Sequence, residues 1–153
     1  MITADRAIVI FNKFVDSESR RGMYAPTAVT NVSYYESVGM VQNDINRSQS
    51  DTFRLRIPYM EAEFQGGRKY IGNPEWKSLA DRSGNWTIAA GDYILLVKQG
   101  EAAPELDGEY TEKQVKDLAG TGVFCGPEIV ISSFADNTVR GSEYVWHWRI
   151  GGN

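Results

Sequence analysis

Thr52-Phe53-Arg54-Leu55-Arg56-Ile57 alternates polar and apolar side chains without a break. Successive side chains of a strand point to opposite faces, so Phe53, Leu55 and Ile57 share one face while Thr52, Arg54 and Arg56 share the other. That is the period of a half-buried strand and not of a helix. Pro58, which has no N–H for a ladder, ends the strand or puts it at an edge.

The same reading extends in both directions. Toward the N-terminus, Ala7 to Phe14 carries the run Ile8-Val9-Ile10-Phe11 and reads as a buried strand. Charged Asp16 to Arg21 and Gly22 interrupt it before a second strand at Ala28 to Tyr35. Residues 37–51 lack periodicity and are rich in Asn, Ser, Gln and Asp, which predicts a long loop. Toward the C-terminus, Gln65-Gly66-Gly67 reads as a turn and Lys69 to Ile71 as a short extended piece.

Asn73-Pro74-Glu75-Trp76 looks like a helix start, with Asn73 as cap and Pro74 in the first helical position, for two turns at most. Trp86 to Ala89 and Tyr93 to Val97 read as a hairpin about Ala90-Gly91-Asp92. After a polar loop at 98–108, Thr111 and Gln114 form a capping-box pattern for a short helix that Gly120 stops. Val123 to Cys125, Glu128 to Phe134 and Tyr144 to Ile150 read as strands, with turns at Gly126-Pro127 and Asp136-Asn137. In the last strand Trp146 and Trp148 share a face and are expected in the core, while Val145, His147 and Arg149 face the other way. The expected fold is mainly β: a small β-barrel or sandwich of about seven strands with two short helices and long loops, in one domain over residues 1–153.

Composition narrows the function classes. A net charge of −4 over 153 residues does not suit a general nucleic-acid binder, which needs a basic face against phosphates. An acidic wall keeps a polyanion mobile, so acidity is compatible with a conduit for DNA but not with a clamp. One cysteine, Cys125, and one histidine, His147, exclude an internal disulfide and a histidine cluster, so no metal or other cofactor is expected. The apolar run Ala7 to Phe11 is far too short for a signal or a membrane span, and the chain is expected in cytosol-like solvent.

No catalytic set emerges from the residues. Cys125, in Val-Phe-Cys-Gly-Pro, and His147, between two tryptophans, read as packing residues before they read as a nucleophile and base. Glu61 and Glu63 read as a solvated edge before they read as paired glycosidase acids. Gly66-Gly67-Arg68-Lys69 lacks the strand-loop-helix context of a phosphate loop. Arg54 and Arg56 read first as solvated arginines on a wet sheet face; the functional alternative is contact with phosphate or with partner carboxylates.

Three strings, Ile-Val-Ile-Phe-Asn-Lys-Phe-Val-Asp-Ser-Glu-Ser-Arg-Arg (8–21), Trp-Thr-Ile-Ala-Ala-Gly-Asp-Tyr-Ile-Leu-Leu-Val-Lys-Gln-Gly-Glu (86–101) and His-Trp-Arg-Ile-Gly (147–151), carry a resemblance that spans the chain. Their pattern and order resemble the minor capsid or head-tail joining proteins of tailed bacteriophages, of the head-completion or stopper kind. The resemblance implies a structural virion protein of the neck, made in the host cytoplasm and not an enzyme. It implies a homo-oligomeric ring, hexameric or dodecameric, between the portal-adaptor and the tail-completion protein, with phage DNA passing close by and no membrane partner. The loop matching those proteins' channel gate is 37–51, whose residues of interest are Met40, Val41, Asp44, Ile45, Arg47 and Asp51. Arg54 and Arg56 are the candidate partner contacts. The alternatives are a tail-completion or tail-terminator ring protein and a small-ligand or carbohydrate-binding β-domain.

Overall fold

A computed structural model describes residues 5–36, 53–139 and 141–153. Among the described residues nine strands form: β1 (Arg6–Val15), β2 (Gly22–Glu36), β3 (Phe53–Pro58), β4 (Glu63–Phe64), β5 (Lys69–Tyr70), β6 (Asn85–Trp86), β7 (Tyr93–Val97), β8 (Phe124–Asn137) and β9 (His147–Gly152). Two helices, α1 (Asn73–Ser78) and α2 (Glu112–Leu118), complete the elements together with short 3-10 turns. The expectation of a mainly β fold holds, and the form is a barrel.

Six strands close on themselves in the order β1-β7-β8-β9-β3-β2 and back to β1, every pair antiparallel. Alternating strand directions can close only around an even number of strands, and closure leaves none of the six with an unpaired long edge. β4 lies against β2 at Val29 and Thr30, beyond the end of β3. β5 and β6 form a separate parallel pair.

Two long strands make closure possible. β2 pairs with β1 along 22–32 and passes to β3 at 33–36; β8 pairs with β7 in its first half and β9 in its second. Each bends at a bulge, where an extra residue sharpens the local twist. In β2 the bulged residue is Asn31 at φ 63°, a left-handed conformation that Asn tolerates; its side chain donates to the Glu61 carbonyl at 3.0 Å. In β8 it falls near Gly126 at φ 72°, so Gly126-Pro127 is a bulge within one 14-residue strand and not a turn between two. An exposed proline fits there because its missing N–H is not needed for the ladder.

The inward face gathers Ile8, Ile10, Leu55, Ile57, Trp148 and Ile150 with side chains from the other strands. Phe53, Leu55 and Ile57 belong to this cluster, as the alternation predicts. A second core lies outside the barrel wall, where Val9, Phe11, Tyr24, Leu95 and Val97 are covered by the 103–110 segment and α2 through Leu106, Tyr110 and Val115. β1 and β7 are therefore apolar on both faces, which explains the unbroken runs at 7–11 and 93–97.

Several boundaries differ from the expectation. The cap of α1 is Gly72, and Asn73 and Pro74 lie inside the helix. The hairpin over 86–97 does not form: β6 ends at Trp86 and pairs with β5, while the turn at 89–92 delivers β7 to β1 and β8. β9 starts at His147, after a 3-10 turn at Glu143–Val145, so Trp146 precedes the strand and is only half-buried, whereas Trp148 is buried. The capping box of α2 is as expected, with Gln114 N–H donating to Thr111 Oγ1 at 3.2 Å and Thr111 N–H to Gln114 Oε1 at 2.8 Å.

Candidate functional site: an arginine wall on β3 and β9

Antiparallel register places Arg56 of β3 directly across from Arg149 of β9, with Arg54 opposite Gly151 on the same ladder. Directly opposed residues of an antiparallel pair share a face, and Arg54 and Arg56 share one by the period of two. The interior residues of both strands, Leu55, Ile57, Trp148 and Ile150, point the other way into the barrel. The outer wall therefore carries three guanidinium groups. Among the described residues none of the three has an ion pair or a hydrogen bond.

Two shallow grooves share Arg54 and Arg149. One, of about 550 Å³, is bordered by Tyr35, Arg56, Asn137 and His147; the other, of about 310 Å³, by Ser133 and Phe134. Tyr35, opposite Arg54 on the β2–β3 ladder, is 45 % exposed, a large ring left in solvent beside the charges. At the far end His147 is held by two bonds: Nδ1 to the Val145 carbonyl at 3.0 Å and Nε2 to the Asn137 amide at 3.2 Å. A carbonyl can only accept, so Nδ1 carries the proton and Nε2 accepts from Asn137. Like charges set directly opposite each other cost stability unless a counter-charge reaches them. What this wall can do chemically is take up carboxylates or phosphates, with arginine forks for bidentate contact and rings for packing.

The other residues singled out from the sequence are placed elsewhere. Met40, Val41, Asp44, Ile45, Arg47 and Asp51 lie outside the described residues. Cys125 sits near the start of β8, its thiol 3.6 Å from the Leu96 carbonyl, whereas His147 pairs with Asn137 at that strand's last residue, so the two do not meet. Glu63 is exposed on β4 and Glu61 in the turn before it. Arg68 is half-buried and braces β2, donating to the Pro26 carbonyl at 2.5 Å and the Thr27 hydroxyl at 2.8 Å. Among the described residues no cluster of His, Cys, Asp and Glu could hold a metal, and no helix is long and apolar enough to cross a membrane.

The sequence reading missed Arg149 as the third member of the wall. Its alternation with Val145 and His147 is visible in the sequence, but not that β9 is the neighbour of β3. It also missed Asp92, read as a turn residue. This carboxylate is buried under the barrel wall, and desolvation pushes its pKa up to about 6 against the pull of hydrogen bonds from Lys13 N–H, Asn12 and Ala89 N–H.

The family model for DUF6751, a family of unknown function, matches residues 2–153. The chain belongs to that family. Neither the curated proteins nor the solved structures offer a match. Membership in DUF6751 covers the whole barrel and the arginine wall, and it attaches no activity to either.

Proposed function

We propose that this DUF6751 protein is a structural component of a tailed-phage neck, of the head-completion or stopper kind, which joins the portal-adaptor to the tail by assembling with copies of itself. The observation that carries the proposal is the outer wall of β3 and β9, where Arg54, Arg56 and Arg149 lie beside the exposed ring of Tyr35, which stands opposite Arg54. Arginine and large aromatic residues are the types enriched at protein-protein contacts. A closed barrel suits such work, because it offers neighbours its outer surface without loose strand edges that would pair indiscriminately. The order of the three strings over 8–21, 86–101 and 147–151 supports the placement in a phage neck.

The test is to locate the protein in particles. Antibody labelling at the head-tail junction, together with filled heads and separate tails when the gene is deleted, is the expected result. Labelling at the tail tip, or normal particles from the deletion, would remove the neck assignment; labelling on unattached tails would favour the tail-completion alternative.

A second reading rests on the groove of about 550 Å³ between Tyr35 and His147, which is within the size range of small-ligand sites. It would make the protein a binder of small anionic ligands such as acidic sugars. Saturable binding of a uronic-acid oligosaccharide, lost in Arg54→Ala, would favour that reading.

A further inference from the structure

We infer that the arginine wall of one copy receives the acidic 101–109 segment of a second copy, head to tail. The inference deepens the self-assembly reading above and rests on it. In a closed ring of six strands, strands three steps apart stand across the barrel from each other. β1 is three steps from β9, and β7 three steps from β3, whichever way the ring is followed. The wall that presents Arg54, Arg56 and Arg149 is β3 and β9. The wall opposite, β1 and β7, is the one covered on its outside by the 103–110 segment and α2.

That covering segment is acidic where the other wall is basic. Glu101, Glu105, Asp107 and Glu109 are all exposed. The segment is fixed in place: Ala103, Leu106 and Tyr110 pack on the second core, Tyr110 and Tyr24 exchange backbone bonds of 2.7 and 2.9 Å, and the Leu106 carbonyl accepts from Gln65 at 3.0 Å. In α2 the charges are already matched, Lys113 with Asp117 at 3.0 Å and Lys116 with Glu112 at 3.4 Å. Among the described residues the half-buried Arg68 feels Asp107 and Glu105, and Arg82, whose guanidinium donates to the Trp76 and Lys77 carbonyls, lines the same cavity as Asp107 and Glu109. Glu101 and Glu109 have no ion pair among the described residues.

Opposite charges on opposite walls give a contact in which each copy uses two different surfaces. Such a contact propagates, and it closes into a ring when the rotation per copy divides a full turn. A two-fold dimer would instead set the arginine walls against each other. Electrostatic complementarity fixes which wall meets which, and exposed Tyr35 supplies apolar area at the contact.

Sedimentation velocity on the full chain tests this. At an ionic strength of about 50 mM the protein should sediment as an assembly, and at about 500 mM as the monomer, because the screening length falls from roughly 13 to 4 Å. Arg56→Glu with Arg149→Glu should stay monomeric at low salt, and so should Glu101→Lys with Glu109→Lys, each with an unchanged circular dichroism spectrum. An equimolar mixture of the two variants should regain the assembly, since a reversed wall then meets a reversed segment and an unaltered wall an unaltered segment. Monomeric wild-type protein at low salt overturns the inference, as does an assembly that either variant leaves intact or that the mixture fails to restore. Wild-type protein that is monomeric alone but shifts with a short DNA duplex would also overturn it and assign the wall to a polyanion. Location in the particle is read by the labelling experiment, so the neck assignment and the head-to-tail contact can fail separately.

Discussion

The side-chain amide of Asn12 donates to the carboxylate of Asp92 at 2.9 Å, and each residue is only 1 % exposed. The pair ties β1 to the segment that leads into β7. Asn12 also donates to the Thr87 carbonyl at 2.6 Å and accepts from Thr87 N–H at 3.3 Å, while Asp92 accepts from Lys13 N–H and Ala89 N–H, both at 3.0 Å. A stretch without ladder bonds thus has its buried backbone groups satisfied by two side chains, which is what allows it to be buried at all.

Burial raises the Asp92 pKa from 3.8 to about 6, and the sign of the consequence follows. The folded state holds this proton more tightly than the unfolded chain, so the contribution is full below pH 3.8 and lost as pH rises through about 6. The difference amounts to about 3 kcal/mol. Asp16, Asp81 and Glu112 are shifted down by hydrogen bonds to Ser19, Ser83 and Tyr93, and they act in the opposite direction. Comparison with Asp92→Asn isolates the contribution of this carboxyl. Urea unfolding of both proteins between pH 4 and 7 should show the variant, which loses an acceptor and is the weaker protein at low pH, catching up as pH rises. Parallel pH profiles would show that Asp92 does not titrate in this window.

Trp148 and Trp146 should separate in a truncation experiment. Trp148 is 3 % exposed at the centre of an aromatic group, 5.0 Å from Trp86 and 5.3 Å from Tyr70 between ring centres. Trp148→Ala should cost about 3–5 kcal/mol by denaturant unfolding. Trp146 is half-buried and rests on Tyr59 at 5.1 Å, so Trp146→Ala should cost less than half as much. Equal costs would mean that Trp146 is as deeply packed as the simple alternation of 144–150 suggests.

Gly152 is small because β8 passes too close for anything larger. A Cβ there would stand 2.5 Å from the Val130 carbonyl oxygen and 2.9 Å from Ile129 Cγ2, the first being backbone that cannot rotate away. Gly152→Ala should lower stability by about 1–3 kcal/mol, although alanine is the smallest change available. Gly72→Ala meets nothing within 4 Å and serves as the control.

What was legible in the sequence was the material of the wall and not its pairing. The alternation of Phe53, Leu55 and Ile57 with Arg54 and Arg56 required a half-buried strand, and burial follows that pattern. The Thr111 and Gln114 capping box was equally local, because both of its bonds close within four residues. Tertiary effects were not readable. Gly126 and Pro127 carry turn chemistry, and only the partner strand decides whether such residues reverse the chain or bulge it. The hairpin expected over 86–97 failed because Asn12 and Asp92 hold the backbone that a ladder would have held. Arg149 joined Arg54 and Arg56 through a contact between β3 and β9 that no local pattern encodes.

The direct opposition of Arg56 and Arg149 makes the monomer pay for what the contact gains, and that can be measured on the isolated chain. Like charges across an antiparallel pair are destabilising, whereas opposite charges there contribute roughly 0.2–1 kcal/mol. Arg149→Glu turns the first arrangement into the second without touching the barrel interior, since residue 149 is exposed and its neighbours Trp148 and Ile150 hold the inward positions. With the protein dilute enough to be monomeric, the variant should unfold about 1–4 °C above the wild type at low salt. The gain should shrink at high salt, because both the repulsion removed and the attraction added are exposed to screening. At high concentration and low salt the order should reverse if wild-type copies stabilise one another through this wall, since self-association adds stability that the variant cannot gain. A variant that melts below the wild type even when dilute would mean that the arginines are already neutralised within the chain.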